Sequence, residues 1–137
     1  MKVTVSRKAH FNAAHKLYRK DWSDKKNIEF FGKCSNQNYH GHNYEVIVSL
    51  KGYINPETGF VYDLSVLKEI IKENIEEKLD HKNLNLDVPE FSNLNPTAEN
   101  IVIFIYNELR KHIEKDLELE VTLYETPRNF VKFSGDN

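Results

Sequence analysis

The sequence is poor in the residues that cross-link a chain or embed it in a membrane. It has one cysteine, one methionine and four prolines among 137 residues. A single cysteine cannot close an internal disulfide, which excludes a disulfide-stapled fold and indicates a reducing compartment. No apolar run approaches the roughly 18 to 20 residues of a membrane span, and the first residues alternate without the apolar core of a signal peptide. We therefore expect a cytoplasmic protein with no membrane partner.

The composition is that of an ordinary globular protein, with 39% hydrophobic and 29% charged residues. We expect a single domain over residues 1–137, long enough to bury a hydrophobic core. The net charge of −2 is unevenly spread, because residues 1–34 carry nine Lys or Arg and only three Asp or Glu. No basic tract is interleaved with aromatic residues, so no nucleic-acid partner is expected. The local basic excess indicates either a solvated face or a small anionic ligand.

The first pattern in the chain is an alternation that runs from Val3 to His15. The odd-numbered positions up to Ala13 are apolar except for Arg7, while most even-numbered positions are polar. This period of two predicts a half-buried strand that ends with His15 on its inward face. A single inward histidine is usually a satisfied core residue, so His15 has functional meaning only if it has partners.

The segment from Cys34 to Tyr44 supplies candidate partners, because it holds the only cysteine and a His40-Gly41-His42 pair. Strand alternation sends both imidazoles to one face. Zinc accepts nitrogen ligands, and a catalytic zinc needs three protein ligands and one open position. His15 is the candidate third ligand. Two alternatives remain: unrelated histidines, or a structural zinc with Cys34 as its fourth ligand.

The remaining patterns predict a two-layer α+β domain. Residues 16–41 show no periodicity and are expected to form a functional loop. Elsewhere the turn residues, caps and apolar spacings predict the following elements: strands His42–Tyr53 and Phe60–Tyr62 forming a hairpin, a helix from the cap Asp63 to about Leu79, a connection over 83–96, a helix from the cap Thr97 to about Lys115, and strands Leu119–Glu125 and Phe130–Phe133.

Two acidic residues stand where a carboxylate is unfavourable. Asp80 follows the first helix at its C-terminus, against the helix dipole, and His81 follows at once. This placement indicates either a functional Asp80–His81 pair or a turn-forming aspartate beside a solvated histidine. Glu125 shares the apolar parity of its strand, where a carboxylate is costly unless it is paired. It either turns out to solvent or anchors a ligand that presents adjacent N–H donors, such as a 2-amino-4-oxo heterocycle.

Five motifs in order resemble those of the 6-pyruvoyl tetrahydropterin synthase family, which also includes 6-carboxytetrahydropterin synthases. They are Phe11-Asn12-Ala13-Ala14-His15, Cys34-x5-His40-Gly41-His42-Asn43-Tyr44, Leu79-Asp80-His81-Lys82-Asn83-Leu84, Thr97-x-Glu99-Asn100 and Tyr124-Glu125-Thr126. The resemblance implies a tunnelling fold: a four-stranded antiparallel sheet with two helices packed on one face, in trimers that stack into homohexamers. It also implies conversion of 7,8-dihydroneopterin triphosphate to 6-pyruvoyl tetrahydropterin with loss of triphosphate, in tetrahydrobiopterin biosynthesis.

The resemblance also implies roles for nine residues. By group they are the zinc ligands His15, His40 and His42, with one zinc per subunit; the acid–base set Cys34, Asp80 and His81; and the substrate-binding residues Glu125, Thr97 and Glu99. Such a zinc acts as a Lewis acid on the substrate side chain, Cys34 shuttles the proton, and Asp80 orients His81.

Three positions depart from the family pattern. Ala98 replaces a common threonine, Asn12 a common serine and Lys16 a common arginine. Lysine keeps the charge but not a bidentate fork for phosphate, so the triphosphate ligands stay unassigned. The nearest alternative function is 6-carboxytetrahydropterin synthase in the queuosine pathway, which typically carries Cys-x3-His-Gly-His; the five-residue gap here favours the pyruvoyl synthase. A non-enzymatic zinc- or pterin-binding protein is the alternative from another class.

Overall fold

The computed structural model describes residues 1–136, which form one five-stranded sheet packed against helices. The strands are β1 (Lys2–His15), β2 (His40–Tyr53), β3 (Lys82–Asn83), β4 (Glu118–Tyr124) and β5 (Phe130–Phe133), in the order β3-β1-β2-β4-β5. All neighbours are antiparallel except β1 and β3, which are parallel. The α+β architecture agrees with the sequence prediction. The predicted count of four strands is wrong, because β3 has two residues and is too short to show any periodicity.

The helices and helical turns cover about half of the remaining described residues. They are α1 (Asp24–Phe31), a 3-10 turn (Gly32–Ser35), α2 (Leu64–Ile71), a π-helical turn (Lys72–Glu76), α3 (Glu77–Leu79), α4 (Leu84–Asp87), a 3-10 turn (Pro89–Phe91) and α5 (Ala98–Arg110). No helix in this part of the chain is long and apolar enough to cross a bilayer. The helix predicted from Asp63 to about Leu79 is confirmed, with a π-helical turn in its middle.

Side-chain caps set the start of α2 and α5 as the sequence predicts. Asp63 accepts a hydrogen bond from the backbone N–H of Ser65 at 2.9 Å, and Thr97 Oγ1 accepts one from Asn100 N–H at 3.2 Å. At its other end α5 stops at Arg110, about five residues before the predicted end. The guanidinium of Arg110 donates to the carbonyls of Ile113, Glu114 and Leu117, so the residues after the helix are held by a side chain.

The core lies between the inward face of the sheet and the two long helical segments. The fully buried members include Val46, Val48, Leu50, Val121 and Leu123 from β2 and β4, and Leu67, Ile71, Ile101, Ile105 and Leu109 from α2 and α5. Burial of this apolar surface is the main stabilising contribution. The inward parity of β1 and β2 ends in histidines at the same edge of this core, and the candidate site is built there.

The predicted hairpin between β2 and residues 60–62 is wrong. β2 already has β1 on one side along its whole length and β4 on the other from Glu45 to Lys51. Val61 and Tyr62 instead pack against the core as half-buried side chains. The apolar residues after the turn therefore pack against the core and form no strand, because β1 and β4 already occupy the two sides of β2.

The predicted structureless loop over 16–41 contains α1 and a 3-10 turn. The only buried residue of α1 is polar Asn27, while Ile28 and Phe30 are exposed. A helix without a buried apolar stripe gives no helical hydrophobic pattern, so sequence periodicity could not reveal it.

Candidate metal and substrate site

Three histidines meet where β1 ends and β2 begins. The antiparallel register pairs His15 directly with His40, and His42 lies two residues along on the same face. The ring centroids are 4.6 to 5.0 Å apart, and one nitrogen from each ring lies within 4.8 Å of the other two. The predicted ligand residues are therefore brought together by strand pairing.

Hydrogen bonding fixes which nitrogen His15 presents. Its Nδ1–H donates to the carbonyl of Pro96 at 2.7 Å, which leaves the Nε2 lone pair facing His40 Nε2 at 3.1 Å. Two nitrogens on one tetrahedral zinc, each about 2.0–2.1 Å from it, stand roughly 3.3 Å apart. Holding a ligand histidine by its second nitrogen is the usual way a protein orients a metal-binding imidazole.

Burial favours the neutral form of two imidazoles of the cluster, those of His15 and His40. Burial, with a smaller effect of the neighbouring rings His40 and His42, lowers the pKa of His15 to about 4. Burial and then His42 also lower the pKa of His40. His40 Nδ1 and His42 Nε2 are buried without a hydrogen-bond partner within residues 1–136. A buried nitrogen that lacks a protein partner, such as His42 Nε2, fits a zinc ion.

Tyr44 is a fourth side chain on this face and was not predicted as a site residue. It is fully buried, stacks on Phe11 with centroids 4.8 Å apart, and places its hydroxyl 3.3 Å from His15 Nδ1. Its pKa is raised well above the ordinary tyrosine range, chiefly by burial and then by the nearby Glu125 and Cys34. The continued alternation after His42 is the signal that could have identified it.

Cys34 and Glu125 lie near enough to each other and to Tyr44 to interact electrostatically. Cys34 is half-buried in the 3-10 turn that precedes β2, and Glu125 is half-buried just beyond the end of β4. Burial, and then the charge of Glu125, raise the pKa of the Cys34 thiol. Its sulfur is not part of the group of ligand atoms within 4.8 Å in the described chain. The thiol therefore does not complete a four-ligand structural site with the three histidines.

Thr97 and Glu99 lie at the N-terminus of α5, next to the carbonyl that holds His15. The Thr97 hydroxyl already accepts the capping hydrogen bond from Asn100 N–H. Glu99 is exposed in the first turn, where its charge suits the helix dipole. The structure places both residues at one edge of the site and gives Thr97 a structural role as well.

Asp80 and His81 form a second group, attached to β1 at Asn12. Asp80 accepts from Asn12 N–H at 2.8 Å and from His81 Nδ1–H at 2.9 Å, and the backbone N–H of His81 donates to the Asn12 carbonyl. These hydrogen bonds, chiefly the one from Asn12, lower the pKa of Asp80. His81 adopts a positive φ of 60° and has a side chain that is 79% exposed. Asp80 thus orients His81 and leaves its Nε2 accessible.

Within one chain the predicted acid–base set stays in two groups. His81 and His42 line a cavity of about 510 Å³ together with Asn12 and Asn43, whereas Cys34 does not line it. No hydrogen bond or ion pair joins the Asp80–His81 pair to the thiol in residues 1–136.

Comparison with known proteins identifies the family of this chain. The family model for 6-pyruvoyl tetrahydropterin synthase matches residues 4–136. The 6-pyruvoyl tetrahydrobiopterin synthase of Pongo abelii is 46% identical over 132 residues, covering 96% of this chain and 91% of that protein. The solved structure of Caenorhabditis elegans 6-pyruvoyl tetrahydropterin synthase matches with a TM-score of 0.92 and 39% identity, over 99% of this chain and 97% of that one. A 6-carboxy-5,6,7,8-tetrahydropterin synthase of Rickettsia conorii is 28% identical, over 95% of this chain and 99% of that protein. The chain belongs to the 6-pyruvoyl tetrahydropterin synthase family of enzymes.

Proposed function

We propose that this enzyme is a zinc-dependent 6-pyruvoyl tetrahydropterin synthase that converts 7,8-dihydroneopterin triphosphate to 6-pyruvoyl tetrahydropterin and triphosphate. The observation that carries the proposal is the cluster of three histidines, each with one nitrogen within 4.8 Å of the other two, in which His42 Nε2 is buried and unpartnered within residues 1–136. His15, His40 and His42 would hold the zinc, one per subunit. Zinc with an open position acts as a Lewis acid on the hydroxyls of the substrate side chain.

The pterin ring is proposed to bind beside this cluster through Glu125. A carboxylate that is half-buried at a strand end can accept two N–H bonds from a 2-amino-4-oxo heterocycle. Thr97 and Glu99 would flank the ring at the start of α5. Because the charge of Glu125 raises the pKa of Cys34, pairing of Glu125 with the ring would remove part of that effect and favour the thiolate.

Proton transfer is proposed for Cys34 and the Asp80–His81 pair. The Cys34 thiolate would accept a proton from the substrate side chain, since the thiol lies near enough to the proposed pterin anchor Glu125 to feel its charge. His81 has its Nδ1–H fixed by Asp80, so its exposed Nε2 can take up or release a proton. Two proton-transfer groups at separate positions suit a reaction that moves protons between carbons of one side chain.

The proposal includes a homohexamer built from two trimers with the tunnelling fold, and a cytoplasmic location. An unpaired edge of β1 supports assembly, because an open strand edge can pair with another subunit. β3 pairs only with Ala13 and Ala14, so the rest of that edge of β1 has no strand neighbour in residues 1–136. Light scattering of the purified protein tests the hexamer directly.

One incubation tests the proposed reaction. Zinc-loaded protein is mixed with 7,8-dihydroneopterin triphosphate, and both released triphosphate and the pterin product are identified by mass spectrometry. We expect triphosphate and a pyruvoyl pterin. Acetaldehyde with a 6-carboxy product would instead assign the sibling reaction, and an absence of turnover with zinc bound would favour a binding protein.

A further inference from the structure

Residues 16–19 continue the chain beyond β1, and asparagine side chains hold their backbone. Lys16 N–H donates to Asn85 Oδ1 at 2.8 Å, and Asn85 Nδ2 donates back to the Lys16 carbonyl at 2.9 Å. Asn27 binds Arg19 in the same two-way manner, at 2.8 and 3.0 Å. Each amide thus satisfies both backbone groups of one residue, as a strand neighbour would.

Leu17 lies between these two attachments and contacts the candidate proton shuttle. Its backbone N–H donates to the carbonyl of Cys34 at 2.7 Å. Leu17 is only two residues from His15, so this bond joins the backbone of the thiol-bearing turn to the strand that carries a proposed zinc ligand. The position of the thiol relative to the histidine cluster depends on how firmly residues 16–19 are held.

The helix that leads to Cys34 depends on the same asparagine. Asn27 is only 4% exposed and is the one buried residue of α1, which buries no apolar side chain of its own. Three residues after that helix the chain reaches Cys34. A buried amide with all these bonds made is a specific attachment, and its loss leaves the Arg19 N–H unpaired, while the Arg19 carbonyl keeps only the hydrogen bond from Trp22 N–H.

We propose that Asn27 and Asn85 form a clamp whose function is to position Cys34 against the histidine cluster. They are positioning residues: neither is placed in contact with substrate, and both act on the thiol through Leu17. Asn85 lies four residues after His81, so the same clamp also connects the segment carrying the Asp80–His81 pair to the end of β1. The effect on turnover rests on the proposed function, whereas the effect on the thiol does not.

The single cysteine gives a readout that is independent of activity. The variants are Asn27→Ala and Asn85→Ala, with Asn85→Asp as a graded change that keeps the acceptor for Lys16 N–H and removes the donor. Asn55→Ala is the matched control, because its amide also binds backbone N–H groups, at a turn beyond the far end of β2. The rate at which iodoacetamide alkylates Cys34 is measured in each metal-free protein at one pH.

We expect alkylation to be about tenfold faster in the clamp variants, since loss of two backbone hydrogen bonds shifts local opening by about that factor. We also expect kcat of the zinc-loaded enzyme to fall by roughly 10- to 100-fold, as displacement of a reacting group by about 1 Å does. KM and zinc content should stay near those of the parent, and Asn85→Asp should fall between the parent and Asn85→Ala.

Parent-like alkylation rates in the clamp variants, or rates no higher than in Asn55→Ala, overturn the proposal. Circular dichroism and melting curves establish that each variant is folded, and Asn85→Ala decides the matter should Asn27→Ala not fold. If no variant and no parent turned over the pterin, the proposed function would fail, but the alkylation rates would still decide whether the clamp positions Cys34.

Discussion

Zinc should stabilise this protein against heat through its three histidines, and the size of that effect can be worked out. The ligand atoms already lie within 4.8 Å, and two of them are 3.1 Å apart. The folded protein therefore presents a site that the unfolded chain lacks. Free zinc at 100 times its dissociation constant adds about 2.7 kcal/mol to the free energy of unfolding. With an unfolding entropy near 0.3 kcal/mol per kelvin for a chain of this length, we expect Tm to rise by about 9 °C.

The assay is differential scanning calorimetry of metal-free protein with and without zinc. The His42→Ala variant should lose most of the zinc-dependent rise, because it removes a ligand whose Nε2 has no other partner in the described chain. His112→Ala is the matched control, since His112 is exposed after α5, and it should keep the full rise. An equal rise in Tm for His42→Ala and the parent would refute the assignment of the site.

Three further predictions concern the supports of the site and the fold. Thr97→Ala should lower the free energy of unfolding in urea by about 1 kcal/mol through loss of the α5 cap, and Thr97→Ser should restore it; an unchanged Thr97→Ala would contradict the capping role. Tyr44→Phe keeps the stack on Phe11 and should weaken zinc binding by less than about tenfold, because Pro96 still accepts from His15; isothermal titration measures this, and a loss above 100-fold would make the hydroxyl the main support. Glu108, held at 2.8 Å by Lys78 and also by Lys111, has a lowered pKa, so its contribution is present above pH 4.5 and is lost as pH falls through the folded pKa. Glu108→Gln should therefore cost about 1 kcal/mol at pH 7 in urea unfolding, and this cost should shrink as the pH falls below 4.5; a pH-independent difference would argue against the ion pairs.

The sequence predicted the parts of this structure that depend on local hydrophobic periodicity and on the residue types at the ends of strands and helices. The alternation ending at His15 and the apolar spacing after Asp63 each correspond to an observed element. The histidine cluster was also predictable, because strand pairing aligns the inward end of β1 with the start of β2. Which strand pairs with β1 had to be inferred from the zinc-binding chemistry of the histidines, because no local pattern in the sequence states which strands are neighbours.

The features that the sequence did not reveal depend on long-range polar contacts. Helix α1 is attached through one buried amide, Asn27, and β3 is two residues long, so neither has a hydrophobic period. The separation of Cys34 from His81 within one chain is likewise a matter of tertiary geometry. Glu125 has the apolar parity of its strand, but β4 ends at Tyr124 and the carboxylate is half-buried, so parity alone could not decide between a solvent-facing side chain and a ligand anchor.

X-ray absorption at the zinc edge of the loaded protein tests the central assignment most directly. A site made by His15, His40 and His42 predicts nitrogen and oxygen neighbours at about 2.0–2.1 Å and no sulfur. A sulfur neighbour near about 2.3 Å would place Cys34 on the metal and contradict an open catalytic site with the thiol free to move a proton.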